Sequence, residues 1–208
     1  MEANGETGQG KEGRNGFKIG IATADITPPL GCMLMGYTPR PGTYVEHPLR
    51  AEAMACEGSN GGWVLLTADV CAFNSLLTDR VREGVASRTG LTADAIMVAA
   101  THTHSGPHVT DAYWSERSEM ESTYFRRLTD TLIRLGAEAW EKRQPGELVV
   151  GRTRAPGLAS NRRAQKEDGT WINVWSDPEG KQTGYYDDTV ELVGVRRADG
   201  RLEALLVN

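Results

Sequence analysis

Residues 63–110, which run from "WVLLTADV" to "AIMVAATHTHSGPHVT", constrain this chain more than any other stretch. The short continuous apolar run "AIMVAAT" is the mark of a strand covered on both faces. Before it stands "SLLTDRVREGVASRTG", in which Leu77, Val81 and Val85 recur every four residues and Gly90 is placed to stop a helix. Strand, helix and strand in quick succession form a βαβ unit, so residues 63–68 and 95–101 are expected to lie parallel.

The flanking sequence fits an α/β fold: a mixed sheet containing this parallel unit, flanked by helices, with a β-hairpin at the C-terminal end. "FKIGIATADI" alternates as a first strand, and residues 27–42 are too broken by Pro and Gly to be anything but a loop. "RAEAMACE" and "WVLLTADV" flank "GSNGG", a hairpin whose glycines supply positive φ. Residues 119–143 make a long amphipathic helix through Phe125, Leu128, Leu132, Leu135 and Trp140, and "GELVVGRTRA" is a further strand. Residues 157–187 are irregular and carry Trp171, Trp175, Tyr185 and Tyr186, aromatics that can line an apolar mouth or anchor the loop. "TVELVGVRRADGRLEALLVN" closes as a hairpin around Ala-Asp-Gly. No repeat or linker interrupts residues 17–208, which read as one domain; residues 1–16 have almost nothing to bury and read as a disordered tail. The chain stops at Asn208 inside the apolar strand "LEALLV", so a portion of a longer domain is expected.

Composition removes some functions. A formal charge of −5 argues against nucleic acid or an anionic membrane surface as the main partner. No apolar run reaches the ~18–20 residues of a membrane span, so no transmembrane segment is expected. No charged and then apolar leader opens the chain, which points to a cytoplasmic address unless a leader was removed. Cys32, Cys56 and Cys71, an odd set without CxxC spacing, read as reduced core thiols rather than metal ligands.

Three of the four histidines, His102, His104 and His108, fall within seven positions just past the second parallel strand. Together with Asp69 they come to the carboxyl ends of neighbouring parallel strands, the edge where open α/β sheets bind ligands. Two apart on an extended backbone, His102 and His104 point to the same side. Converging imidazoles can share one metal, or one can bind it while the other touches substrate, and neutral imidazole is a common zinc ligand. Asp69 can orient a ligand histidine or merely cap its strand. His108, past the Gly-Pro, is the weakest member and can equally be solvent-exposed. Ser105 beside His104 is a poor nucleophile, because no G-x-S-x-G elbow surrounds it. Arg162 and Arg163, after Asn161 in the long loop, can grip a carbonyl or anion or remain ordinary surface arginines.

"IATADITPPLGCMLMGY", "LLTADV", "MVAATHTHSGP", "SNRR" and "DGRLEALLVN" together resemble, in order and spacing, the N-terminal catalytic domain of the neutral/alkaline (non-lysosomal) ceramidase family. The combination of "ATHTHSGP" downstream of "ADIT" is specific, and the likeness runs from about Phe17 to the end. It implies a zinc-dependent amidohydrolase acting on a small-molecule or lipid amide, an N-acyl sphingosine or a related N-acyl compound. It implies His102 as a zinc ligand, His104 as the group that polarises the scissile bond and Arg162 as a contact of the reacting centre. Asp69, Ser105 and Asn161 are then candidates to support the ligands or line the substrate. The family's further zinc ligands, a histidine, a glutamate and a tyrosine, fall after the segment resembling "LEALLVN", so the chain alone is expected to be inactive. Two other classes compete: a ceramidase-like module that has lost catalysis and serves binding or assembly, and an HxH amidohydrolase barrel. The barrel expects the motif on its first strand, whereas here several strands precede it. A homo-oligomer is left open.

Overall fold

The computed structural model describes residues 16–38, 40–110, 117–181 and 184–208. All but the last residue of the expected disordered tail lies outside these. The chain forms two compact units, divided after Glu147, where the sequence reads as a single domain.

The first unit opens with β1 (Phe17–Asp25), followed by two short strands, β2 (Met33–Leu34) and β3 (Arg40–Pro41). Next come β4 (Arg50–Gly58) and β5 (Gly61–Ala68), then helix α1 (Ser75–Thr89). A single 3-10 turn at Ala93–Ala95 leads into β6 (Ile96–Ala100), and helix α2 (Glu119–Glu141) ends in β7 (Gln144–Arg154). Hydrogen bonding orders the strands β7, β1, β4, β5, β6, with every pairing antiparallel except β5–β6. Val64 stands opposite Ile96 and Ala68 opposite Ala100, so the expected parallel crossover is present.

Local chemistry explains the boundaries. Asn74 caps α1 by accepting from the Leu77 amide at 2.9 Å, and Gly90 ends the helix in the left-handed conformation at φ 75°. At the start of α2 the Ser118 side chain accepts from the Glu121 amide while the Glu121 carboxylate accepts from the Ser118 amide, a reciprocal capping box. Leu77, Val81 and Val85 from α1 meet Leu128, Leu132 and Leu135 from α2 over Ala53, Ala55, Val64 and Leu66 of the sheet. Small residues allow this close approach: a Cβ on Gly20 of β1 would stand 1.9 Å from the Ala139 carbonyl oxygen of α2.

Two local expectations need correction. Within the expected loop 27–42, β2 and β3 pair antiparallel, Met33 opposite Pro41 and Leu34 opposite Arg40. Strand β6 is not covered on both faces: Ile96 is buried but Met97 is 62% exposed, because β6 ends the order of strands and both helices pack on the opposite face. The cysteines are free and buried, as expected.

In the second unit, Leu148–Asn208, the remainder of β7 pairs with β10 (Thr189–Arg196), which in turn pairs antiparallel with β11 (Leu202–Val207). This is the expected hairpin, with Gly200 at φ 83° in its turn. The segment expected to be irregular holds a second small hairpin, β8 (Arg163–Gln165) with β9 (Trp171–Asn173), closed where the Lys166 amide donates to Thr170 O. The fold is α/β, with a mixed sheet, one parallel pair, two helices and a C-terminal strand hairpin.

Candidate active site

The two catalytic-looking histidines sit where the crossover ends. Beyond β6 the chain stays tied to the end of β5: the Thr101 amide donates to Ala68 O at 3.0 Å and the His102 amide to Val70 O at 3.1 Å. His102 then adopts φ 66°, the sole positive φ of a non-glycine residue among those described. The rings therefore converge through a left-handed turn of the backbone, and not through the extended alternation read from the sequence. A side chain held in this region is strained, and such strain concentrates at functional positions.

The geometry of the pair is specific. His102 Nδ1 lies 2.6 Å from the Cys71 carbonyl oxygen. A carbonyl only accepts, so Nδ1 carries the proton and Nε2 presents its lone pair outward. That Nε2 lies 3.3 Å from His104 Nε2, with ring centroids 4.9 Å apart and planes at 71°. Zinc–nitrogen bonds of about 2.0–2.1 Å place two ligands of a tetrahedral ion about 3.3 Å apart. The pair therefore fits one metal ion, and equally fits a ligand nitrogen with a neighbour reaching whatever that ion holds.

Cys71 joins them, with the ligating atoms of Cys71, His102 and His104 all within 4.8 Å of one another. Its Sγ lies 3.7 Å from His102 on the Nδ1 side, and burial pushes its thiol up from the ordinary range, so at neutral pH it is a protonated neighbour. What Cys71 contributes here is its carbonyl, a role with no signal in residue type or spacing.

The remaining expected residues separate. Asp69 does not contact either imidazole. Its carboxylate accepts from the Arg50 amide at 2.9 Å and from the Thr101 hydroxyl at 3.1 Å, which clasps β4 to the segment leading to His102. Ser105 donates its amide to the Thr103 hydroxyl at 3.2 Å and, with Thr103, Leu34, Arg40 and Tyr44, lines a cleft of about 400 Å³. His108 is buried, and its amide donates to Met33 O at 2.8 Å. Asn161 and Arg162 belong to the second unit. The Asn161 side chain donates to Tyr185 O and accepts from the Arg163 amide, while the Arg162 guanidinium lies 5.0 Å above the Trp175 ring. Trp171, Trp175 and Tyr185 are exposed.

Among the described residues no helix is long and apolar enough to cross a membrane. A family profile described as neutral/alkaline non-lysosomal ceramidase, N-terminal, matches residues 17–169. The crystal structure of a neutral ceramidase from Pseudomonas aeruginosa is similar over 92% of this chain at 20% identity, with a TM-score of 0.70. A ceramidase complexed with C2 is similar over 92% of this chain, also at 20% identity, with a TM-score of 0.71. The chain spans 31% and 30% of those two chains, about a third of their length. A search of curated proteins finds no match.

Proposed function

This chain belongs to the neutral/alkaline non-lysosomal ceramidase family, and from that membership we propose that it supplies the histidine edge of a zinc-dependent amide hydrolase. The substrate class is an N-acyl sphingosine or a related N-acyl compound. The observation that carries the proposal is the 3.3 Å approach of the two Nε2 atoms, with His102 oriented by the Cys71 carbonyl. Nitrogen donors with a borderline-soft ion suit zinc. A zinc ion held there supplies a Lewis acid and lowers the pKa of water toward 7.

In this proposal His102 holds the ion through Nε2 while its Nδ1–H stays on Cys71 O, which keeps the ring from turning. His104, its Nε2 3.3 Å from that of His102, would aim Nε2 at the amide carbonyl and polarise it as charge develops on the oxygen.

The test pairs metal content with turnover. Protein purified without chelators is expected to retain zinc that His102→Ala loses. In a longer protein that joins this chain to the family's further zinc ligands, hydrolysis of a short-chain N-acyl sphingosine is expected to vanish on chelation and return with zinc. Turnover indifferent to chelation would overturn the metal assignment. If that longer protein binds zinc yet cleaves no N-acyl compound, the hydrolase assignment is overturned and a binding module is left.

A further inference from the structure

We infer that Tyr37 and Arg40 are positioning residues for His104, holding its imidazole against that of His102. His104 stands on a turn beyond β6, half-buried, where no strand or helix pairing fixes its ring. What surrounds it comes from the segment between β2 and β3. The Tyr37 ring meets the His104 ring edge-on, with centroids 4.9 Å apart and planes at 80°. His102 meets it at the same centroid distance, with planes at 71°, so the imidazole packs against two rings. Arg40 donates from Nη2 to the His104 carbonyl oxygen at 3.2 Å, and its guanidinium carbon lies 5.4 Å from the centre of the Tyr37 ring. One guanidinium thus fixes both the backbone of His104 and the ring that packs on its side chain.

Three further observations give the contact its meaning. Tyr37 is 71% exposed, so its burial adds little to the core; the described partners of its ring are His104 and Arg40. Gly36 adopts φ +115°, and a Cβ there would come 2.3 Å from His104 Cγ, so the backbone itself forms the floor under the imidazole. The ribbon is also anchored. The Met35 amide donates to Gly106 O at 3.1 Å, Leu34 bridges to Pro107, and the Met33 amide donates to the Glu121 carboxylate at 3.1 Å. An edge-to-face ring pair restricts rotation about the imidazole's outer torsion, the one a bare turn leaves free. The consequence for turnover rests on the proposed role of His104, whereas the positioning itself does not.

The experiment reads geometry, without metal or substrate. In metal-free protein the ring protons of His102 and His104, assigned with His102→Ala and His104→Ala, are expected to share a nuclear Overhauser cross-peak. Tyr37→Phe, which keeps the ring, is expected to retain it. Tyr37→Ala and Arg40→Met are expected to lose it while the buried His108 signals stay in place. Persistence at full intensity in either variant removes that residue from the assignment, and absence from the parent protein overturns the whole. Should Tyr37→Ala also disturb His108, Tyr37→Leu decides in its place. Failure of N-acyl hydrolysis by the longer protein that carries the further zinc ligands, with these cross-peak losses intact, would sink the functional proposal and leave the positioning standing. Hydrolysis with an unmoved cross-peak would do the reverse.

Discussion

His102 reaches its place through a backbone conformation that L-residues avoid, at a cost of about 1–2 kcal/mol. Replacing it separates strain from chemistry. His102→Gly and His102→Ala both delete the bond to Cys71 O, but only glycine accepts φ 66° freely. We expect the glycine variant to be the more stable of the two by about 1 kcal/mol in urea unfolding, with zinc lost from both. Equal stabilities would mean that the turn relaxes around alanine. Gly36 makes the complementary prediction. A methyl 2.3 Å from His104 Cγ must displace the ring, so Gly36→Ala, in the longer protein that carries the further zinc ligands, is expected to lower hydrolysis roughly tenfold or more while zinc is kept. The rate and the metal content of that one variant check both halves.

Among the elements, the contact of α2 with β1 is the least forgiving. A Cβ on Gly20 meets a main-chain carbonyl of α2, which cannot swing aside as a side chain would. Gly20→Ala is therefore expected to cost about 1–3 kcal/mol, read as a lower urea midpoint with unchanged slope. A midpoint equal to the parent's would show that α2 rides outward freely. The same elements show what a sequence declares and what it hides. The crossover was legible because Leu77, Val81 and Val85, the Gly90 stop and the apolar run before Thr101 are local patterns. Strands β2 and β3 were not, because four residues among prolines and glycines owe their pairing to Gly106 and Pro107, some seventy positions away. At the site, the histidine cluster and its convergence were legible but the means of convergence was not: a left-handed residue and a backbone carbonyl acceptor leave no mark in residue type. Past its Gly-Pro, His108 reads equally as exposed or buried; the β2 backbone accepts its amide and the residue is buried. The exposure of Met97 has no sequence signal for a similar reason, since an apolar run does not say which strand stands last.

Taken as a whole, the molecule responds to acid through carboxylates that its fold keeps charged. Burial alone would push Glu121 up, but the Ser118 hydroxyl and amide and the Met33 amide outweigh it and hold the carboxyl below its ordinary range. Hydrogen bonds from Thr27 do the same for Asp25. Because the folded values lie below the unfolded ones, the stability they contribute is complete near neutrality and disappears as pH falls through about 4 and below. Glu121→Gln is thus expected to unfold more readily than the parent at pH 7, the gap closing by pH 3, as denaturant titrations at the two values will show. A gap that widens toward acid would contradict the assignment. Burial likewise raises all three thiols, so a thiol reagent is expected to label none of Cys32, Cys56 and Cys71 in the folded protein and all three in denaturant. The tether of His102 to Cys71 O spans 31 positions along the chain, the whole of α1 and its return strand. A contact of that span needs α1 and β6 in place, because both lie inside the loop it closes. The two imidazoles are therefore oriented toward each other by the folded crossover and not by the sequence around them. On the zinc-dependent reading proposed above, the metal would be taken up by the folded protein.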